Sequence, residues 1–488
     1  MLKARGEILD GIAAEDGGKA WLHKEVFRRI RARSLAKARA ETKPVELSEY
    51  QTFLIGLQGV GPVGGERYDG EDGVMRVIEQ LEGVALPPSV WESSVLPARV
   101  RDYRPAMLDG LLSSGEIVWV GSKTTGSKAK EPGLVALHPA DSLLLTVQDG
   151  EKNGGAPGEP VTLPDAVMAV LAPGGAYHAN QLAGMTRAAW DASSECVDES
   201  TGEILPHPWS DSQFEEALWS LVWQGKVTNS SFDPLRSLGA SSHAVKAPAR
   251  ASRRRVRVRV SVPANMTGLW SAVPHADMQE ASAERVAIAR VEALLDRYGV
   301  IAPPMIDKER LAGGFSGLYP VLRRMEEHGA LMRGMFVSGC GAAQFASRQT
   351  VDALRACAAE PSAVVLDATD PANLYGSVIA WPRTIGGFSI RPARRSGASV
   401  VLRGGRLLAY AVPRSHHLLL AQDADPALQQ ACNELAYALQ RNLRDGGIRG
   451  GVTFCDANDE PLTARGEWSR MLHVAGFVPV PQGMRLYC

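Results

Sequence analysis

The sequence predicts an α+β protein: tandem winged-helix modules plus a small β-barrel, with no RecA-like motor domain. Three observations lead there. Residues 313–337 (GGFSGLYPVLRRMEEHGALMRGMFV) put Phe315, Leu318, Leu322 and Met325 on one helical stripe, reach Gly329 where a helix C-cap wants positive φ, and pass directly into an apolar strand. The same grammar returns at 107–120 (MLDGLLSSGEIVWV), 214–228 (FEEALWSLVWQGKVT) and 468–478 (WSRMLHVAGFV), with stops at Gly115, Gly225 and Gly476. One copy describes any helix–strand junction; four describe related modules, spaced too irregularly for a solenoid. Between 363 and 420, short apolar runs alternate with turns, which is the spacing of a barrel or sandwich.

Composition sets bounds on function. The 488 residues fit about three or four domains. A hydrophobic content of 45% and a mean hydropathy of −0.10 describe ordinary folded protein. No apolar run is long enough to span a bilayer, and the N-terminus lacks a signal-type apolar core, so no membrane partner is expected and the expected location is cytoplasmic, nucleoid-associated. The six cysteines are scattered without CxxC spacing, which argues for reduced thiols and against structural zinc; no metal site is expected. His416 and His417 would point to opposite faces of a strand. With a net charge of −1, attraction to nucleic acid must come from local patches. Acidic and basic residues read as interspersed except in one stretch, 237–262.

Taken in order, residues 1–60 read as an N-terminal helical segment, with helices at 6–14, 23–42 and 46–56. The second carries Arg28, Arg29, Arg31, Arg33, Lys37 and Arg39, either as a solvated face or as a phosphate-contacting one. Residues 61–147 form a first winged-helix module. Its strands at 116–120 and 134–137 flank GSKTTGSKAKEPG, where Lys123, Lys128 and Lys130 either touch phosphates from a wing or decorate a surface loop. Residues 161–236 form a second module, with an acidic insertion at 190–207. Its candidate third helix carries Glu215 and Glu216, which phosphates repel, so only some modules are expected to meet DNA.

Residues 237–262 read as a basic linker or arm ending in RRRVRVRV. Arg253, Arg254, Arg255, Arg257 and Arg259 either contact phosphates or form an edge strand that blunts self-association. Residues 281–358 form a third module, in which Arg323, Arg324 and Arg333 are the best DNA-contact candidates; Pro320 is expected in the first helical turn. Residues 359–421 read as the β-barrel, and 422–488 as a C-terminal winged-helix-like α/β module.

The strings at 96–121 (LPARVRDYRPAMLDGLLSSGEIVWVG), 218–229 (LWSLVWQGKVTN), 284–300 (ERVAIARVEALLDRYGV), 313–329, 341–346 (GAAQFA) and 368–382 (ATDPANLYGSVIAWP) resemble the C-terminal region of bacterial large helicase-related proteins. The resemblance implies tandem winged helices, DNA repair, homo-oligomers of tetrameric order, and DNA, single-stranded or forked, as partner. It also implies a superfamily 2 helicase core elsewhere in the same polypeptide. No GxxxxGK[ST] loop and no DExH box occurs in this chain, so ATP and magnesium would belong to that core and no cofactor is expected here. The resemblance further implies similarity to DNA glycosylases that remove uracil or alkylated and crosslinked bases, which must flip a base. The QxQ motif of the alkylpurine enzymes is absent, and no carboxylate follows Glu467. Asp367, Asp370, Asp456 and Asp459 stand near turns, where such residues are commonly turn formers; the catalytic residue is unknown.

Overall fold

The computed structural model describes the chain except for residues 1–7, 14–18, 24, 27–28, 31–32, 34–42, 62–66, 123–131, 146–161, 194–195, 198–203, 206–208, 242–262, 275–281, 358–361, 423–426, 446–450, 463–465 and 488. Two compact units result: Gln51–Tyr298 with Ala358–Cys488, and Met1–Tyr50 with Gly299–Cys357.

In the first unit, one succession recurs: helix, strand, helix, helix, strand, strand. In the first module the helices are Gly70–Gln80, a short helical stretch Pro88–Val90 that runs on through a π-type turn, Trp91–Val95, and Pro105–Ser114. Its strands Ile117–Ser122 and Leu134–Pro139 pair antiparallel, and Leu86 bridges to Val135 on the other side. The second module has helices Leu163–Leu171, Ala179–Ser193 and Asp211–Trp223, with strands Val227–Asn229, Leu269–Ala272 and Tyr177–His178 side by side in that order. The C-terminal region repeats the strand order with Gly451–Phe454, Gly483–Tyr487 and Val478–Val480, beside helices Ala427–Asp445 and Glu467–Val474. In every case the last strand in sequence is the central one, as in a winged-helix sheet.

The local reasons lie in helix stops and caps. Gly115 takes φ 79° at the C-cap of Pro105–Ser114, a conformation that costs a residue with a Cβ. Leu163–Leu171 starts with a reciprocal capping box, Thr162 accepting from Asp165 N and Asp165 accepting from Thr162 N. The two modules share one apolar core in which Trp91, Trp119, Trp219 and Trp270 are fully buried.

The barrel expected at 359–421 is not there. Strands Val364–Asp367, Ser399–Arg403, Arg406–Val412, His417–Leu420, Asp456–Ala457 and Glu460–Pro461 lie side by side in an open sheet, and no closed barrel occurs among the described residues. The physical reason is burial on both faces. Arg406–Val412 is buried at six successive positions, where a barrel strand with a solvated outside would alternate. Helix Ala427–Asp445 covers one face. The loop 371–397 also packs on the sheet, its Trp381 edge-on against Tyr410 at 5.6 Å.

In the second unit, strands Val300–Ile301, Gln344–Ala346 and Met332–Gly334 form a sheet in that order around helices Pro303–Glu309 and Gly314–Glu327. Helix Ala283–Tyr298 precedes them in sequence. Two further expectations need correction here. Residues 8–13, expected as helix, form a strand paired antiparallel with Lys19–His23, because the backbone finds a partner across the intervening Glu-Asp-Gly-Gly segment. Pro320 sits inside helix Gly314–Glu327 rather than in its first turn. Its missing N–H leaves the Ser316 carbonyl, on the solvent side, without its intrahelical donor.

Candidate nucleic-acid interface

In a winged helix, the third helix is the element that enters a major groove, so the surroundings of each third helix decide what it can do. In the second module that helix is Asp211–Trp223, and Phe214, Ala217, Leu218, Trp219, Leu221, Val222 and Trp223 are buried. The first module's wing strands lie on it. Thr228 Oγ1 donates to Trp119 O at 2.8 Å, and Trp119 Nε1 donates to Ser231 O at 3.3 Å. The approach needs glycine: a Cβ at Gly121 would lie 2.6 Å from Val222 O, and one at Gly133 would lie 2.8 Å from the Trp223 ring.

The first module's third helix, Pro105–Ser114, is engaged as well. Helix Asp233–Ser241 brings Arg236 to Glu92, Asp109 and Asp233 at 2.7, 2.8 and 2.7 Å, and Phe232 N donates to Asp109 Oδ1 at 3.2 Å. Burial works against the Arg236 charge, but hydrogen bonds to Glu92 and Asp109, with Asp233 adding to them, outweigh it and hold the guanidinium above its ordinary pKa. Neither covered helix carries a lysine or arginine.

Helix Gly314–Glu327 differs. It buries Leu318 and Leu322 on the expected stripe, while Ser316, Pro320, Arg323, Arg324 and Glu327 form an exposed stripe. Arg323 Nε lies 3.2 Å from Glu327 across an exposed i,i+4 pair. Arg333, on strand Met332–Gly334, is held elsewhere: it donates to Tyr319 Oη at 3.0 Å and stands 5.7 and 6.0 Å from the Tyr319 and Phe345 ring centres. So of the three predicted arginines, Arg323 and Arg324 share the exposed stripe, and Arg333 is packed on an aromatic cluster that includes Phe315. The wing that follows is fixed by a residue not singled out from sequence. The buried Gln344 side chain accepts from Phe336 N and Val337 N at 2.9 Å each and donates to Val337 O at 2.7 Å and Gly341 O at 2.8 Å.

Arg253, Arg254, Arg255, Arg257 and Arg259, together with Lys123 and Lys128, lie outside the described residues. The basic stretch does connect strands Val227–Asn229 and Leu269–Ala272, which are hydrogen-bonded neighbours, so the chain leaves and re-enters one sheet across it. Lys123 and Lys128 fall between the two wing strands of the first module.

The candidate acids have structural surroundings. Asp370 is fully buried and takes a bidentate grip from Arg99, also fully buried, at 2.8 and 3.0 Å. Asp367 is buried and accepts from Thr369 N, Thr369 Oγ1 and Gly397 N at 2.8, 2.5 and 2.8 Å. Burial raises its pKa, against the pull of those hydrogen bonds. Asp459 receives Ser389 N at 2.7 Å and the Ser389 hydroxyl, and these bonds hold its carboxyl below the usual range. Asp459 is exposed and Asp456 partly exposed. Asp456 meets His417 Nδ1 at 2.7 Å, off the hydrogen-bonding direction. Burial pushes the Cys340 thiol up to about 11 and Cys432 up to about 12, so neither is a ready nucleophile. Among the described residues, no group of three or more His, Cys, Asp or Glu side chains is placed to hold a metal, and no helix is long and apolar enough to cross a membrane.

Sequence reading also missed a second basic stretch. From 371 to 422 there are seven arginines and no acidic residue. A simple window count of carboxylates would have found it.

The comparisons with known proteins fit this architecture. Residues 45–140 and 280–365 each match the winged-helix domain of large helicase-related protein. The chain thus carries two winged-helix domains of the large helicase-related (Lhr) protein type. It is 38% identical to the Lhr helicase/uracil glycosylase of Escherichia coli strain K12, over 95% of this chain and 30% of that protein. It is 37% identical to the Lhr helicase/probable uracil glycosylase of Mycolicibacterium smegmatis, over 99% of this chain and 31% of that protein. The chain thus spans about a third of the length of these Lhr relatives. Among solved structures, Streptomyces sahachiroi DNA glycosylase AlkZ overlays with a TM-score of 0.47 at 14% identity, over 85% of this chain and 99% of that one; at that level the likeness carries no functional argument.

Proposed function

We propose that this chain is a non-motor, DNA-binding and assembly region of an Lhr-type DNA-repair helicase, working beside a helicase core that carries the ATP and magnesium sites. One observation carries the reading. The third helices that neighbouring elements cover, Pro105–Ser114 and Asp211–Trp223, lack basic residues, whereas Gly314–Glu327 exposes Arg323 and Arg324 on one stripe. Covered helices act as spacers between modules, and the third module meets the duplex part of a forked DNA. Self-assembly, of tetrameric order, is part of the same proposal and is read by light scattering at several concentrations.

The test of DNA contact is anisotropy of a labelled forked duplex titrated at several salt concentrations. Replacing Arg323 and Arg324 together by alanine should flatten the plot of log affinity against log salt by about 2, since each phosphate contact on duplex DNA contributes a slope near 0.9. An unchanged slope overturns the assignment of this helix.

A second reading, removal of uracil or other damaged bases, is supported by the similarity to the Lhr helicase/uracil glycosylase of Escherichia coli and the Lhr helicase/probable uracil glycosylase of Mycolicibacterium smegmatis. Among the four acids near turns, Asp367 and Asp370 are locked in buried hydrogen bonds and Asp459 is held by Ser389. Asp456 is therefore the carboxylate this reading would use.

A further inference from the structure

The acid-free stretch 371–422 folds as the loop 371–397 followed by strands Ser399–Arg403, Arg406–Val412 and His417–Leu420, and its exposed arginines have no part in the proposal for the third module. The loop is pinned at successive points. Ser389 is tied to Asp459, and the Tyr410 hydroxyl accepts from Ala393 N at 3.3 Å and donates to Ala393 O at 3.0 Å. Arg394 turns inward to the carbonyls of Thr369, Asp370, Asn373 and Tyr375; burial lowers its pKa, the nearby Asp370 opposing. Three further arginines, Arg383, Arg391 and Arg395, are exposed, and among the described residues none of the three is ion-paired.

Beside them stands a half-buried tryptophan. Trp381 stacks on Tyr375, with ring centres 6.3 Å apart and planes at 25°, and meets Tyr410 edge-on at 5.6 Å. Arg395 shares that tyrosine, donating to its hydroxyl at 3.0 Å with the guanidinium 5.9 Å from the ring. Gly376 lets the ring lie close, since a Cβ there would fall 2.6 Å from the indole. An aromatic face flanked by guanidinium groups that lack a carboxylate partner, on a pinned backbone, is the combination that single-stranded nucleic acid selects, bases on rings and phosphates on cations.

We propose that the loop 381–397 is a binding site for single-stranded DNA, with Arg383, Arg391 and Arg395 on the phosphates and Trp381 offering a ring to a base. The proposal rests on the reading that this chain binds DNA, and adds a second place, on a sheet rather than a winged helix. An anionic peptide would satisfy the arginines but would not reward the ring.

The experiment titrates the whole chain into a fluorescein-labelled oligo-dT across a salt series. The variant Arg383→Ala/Arg391→Ala/Arg395→Ala should stay folded, its melting temperature lowered at most slightly by loss of the Arg395–Tyr410 contact, and should lower the salt slope by about 2, at roughly 0.7 per phosphate on single strands. Trp381→Leu should weaken binding about tenfold with the slope unchanged. Trp381 also packs on two tyrosines, so the arginine variant decides if that protein misfolds. Wild type that binds while the arginine variant keeps both affinity and slope overturns the loop site and leaves the DNA-binding reading standing. Wild type that binds neither oligo-dT nor forked duplex removes both. Displacement of oligo-dT by polyglutamate at equal charge concentration also overturns the proposal, by showing that charge alone is recognised.

Discussion

Asp370→Ala probes how the sheet of the first unit is joined to its helical modules. Asp370 and Arg99 are each fully buried and lie 271 residues apart, their oxygens and nitrogens at 2.8 and 3.0 Å. Removing the carboxylate strands a guanidinium with only Val95 O at 3.0 Å and Gln58 Oε1 at 2.9 Å, and its Nε already lacks a partner. It also frees Ala372 N, which donates to Asp370 Oδ1 at 2.8 Å. Breaking a buried pair from one side costs about 3–5 kcal/mol, and the two surviving acceptors place this case towards the lower end. A domain of ordinary stability has about 5–15 kcal/mol in all, so the loss is a large fraction. The assay is equilibrium urea denaturation followed by far-UV circular dichroism, run on Asp370→Ala, Arg99→Met and the double variant. The double should recover much of the loss, because it leaves no unpaired charge. A single variant that loses less than about 1 kcal/mol, or a double that is simply additive, refutes the argument that this pair holds charge in a dry interior.

Two further outcomes follow from the same reasoning. Gly133→Ala would put a Cβ 2.6 Å from Ser122 O and 2.8 Å from Trp223, so the wing must withdraw from helix Asp211–Trp223. Overpacking of this kind costs about 1–3 kcal/mol, read as a melting temperature lower by several degrees; an unchanged melting curve means the close approach is not required. For the base-removal reading, incubation with uracil-containing single-stranded DNA followed by alkali should give strand scission that Asp456→Asn abolishes while His417 keeps its fold. Scission that survives in Asp456→Asn moves the chemistry elsewhere, and no scission at protein excess removes that reading.

Local patterns in the sequence settled local matters. The helical stripe of Leu318 and Leu322, the stops at Gly115, Gly225, Gly329 and Gly476, and the strand after each stop were legible because they depend on side-chain period and on backbone that only glycine adopts cheaply. The acid-free run from 371 to 422 was equally legible as composition, though its arginines are far less dense than those at 253–259. Nothing local could announce that Arg99 meets Asp370, that Arg236 meets Glu92 and Asp109, or that Gly121 and Gly133 lie against Trp223. Those pairings join residues scores to hundreds of positions apart, and they determine which third helices are covered. The same limit explains the missing barrel. Whether strands close on themselves or stay open depends on what covers their faces, and here helix Ala427–Asp445 and the arginine-bearing loop supply the cover. Chemical identity of the candidate residues was written in the chain; their exposure, and with it their capacity to meet a partner, was decided by long-range packing.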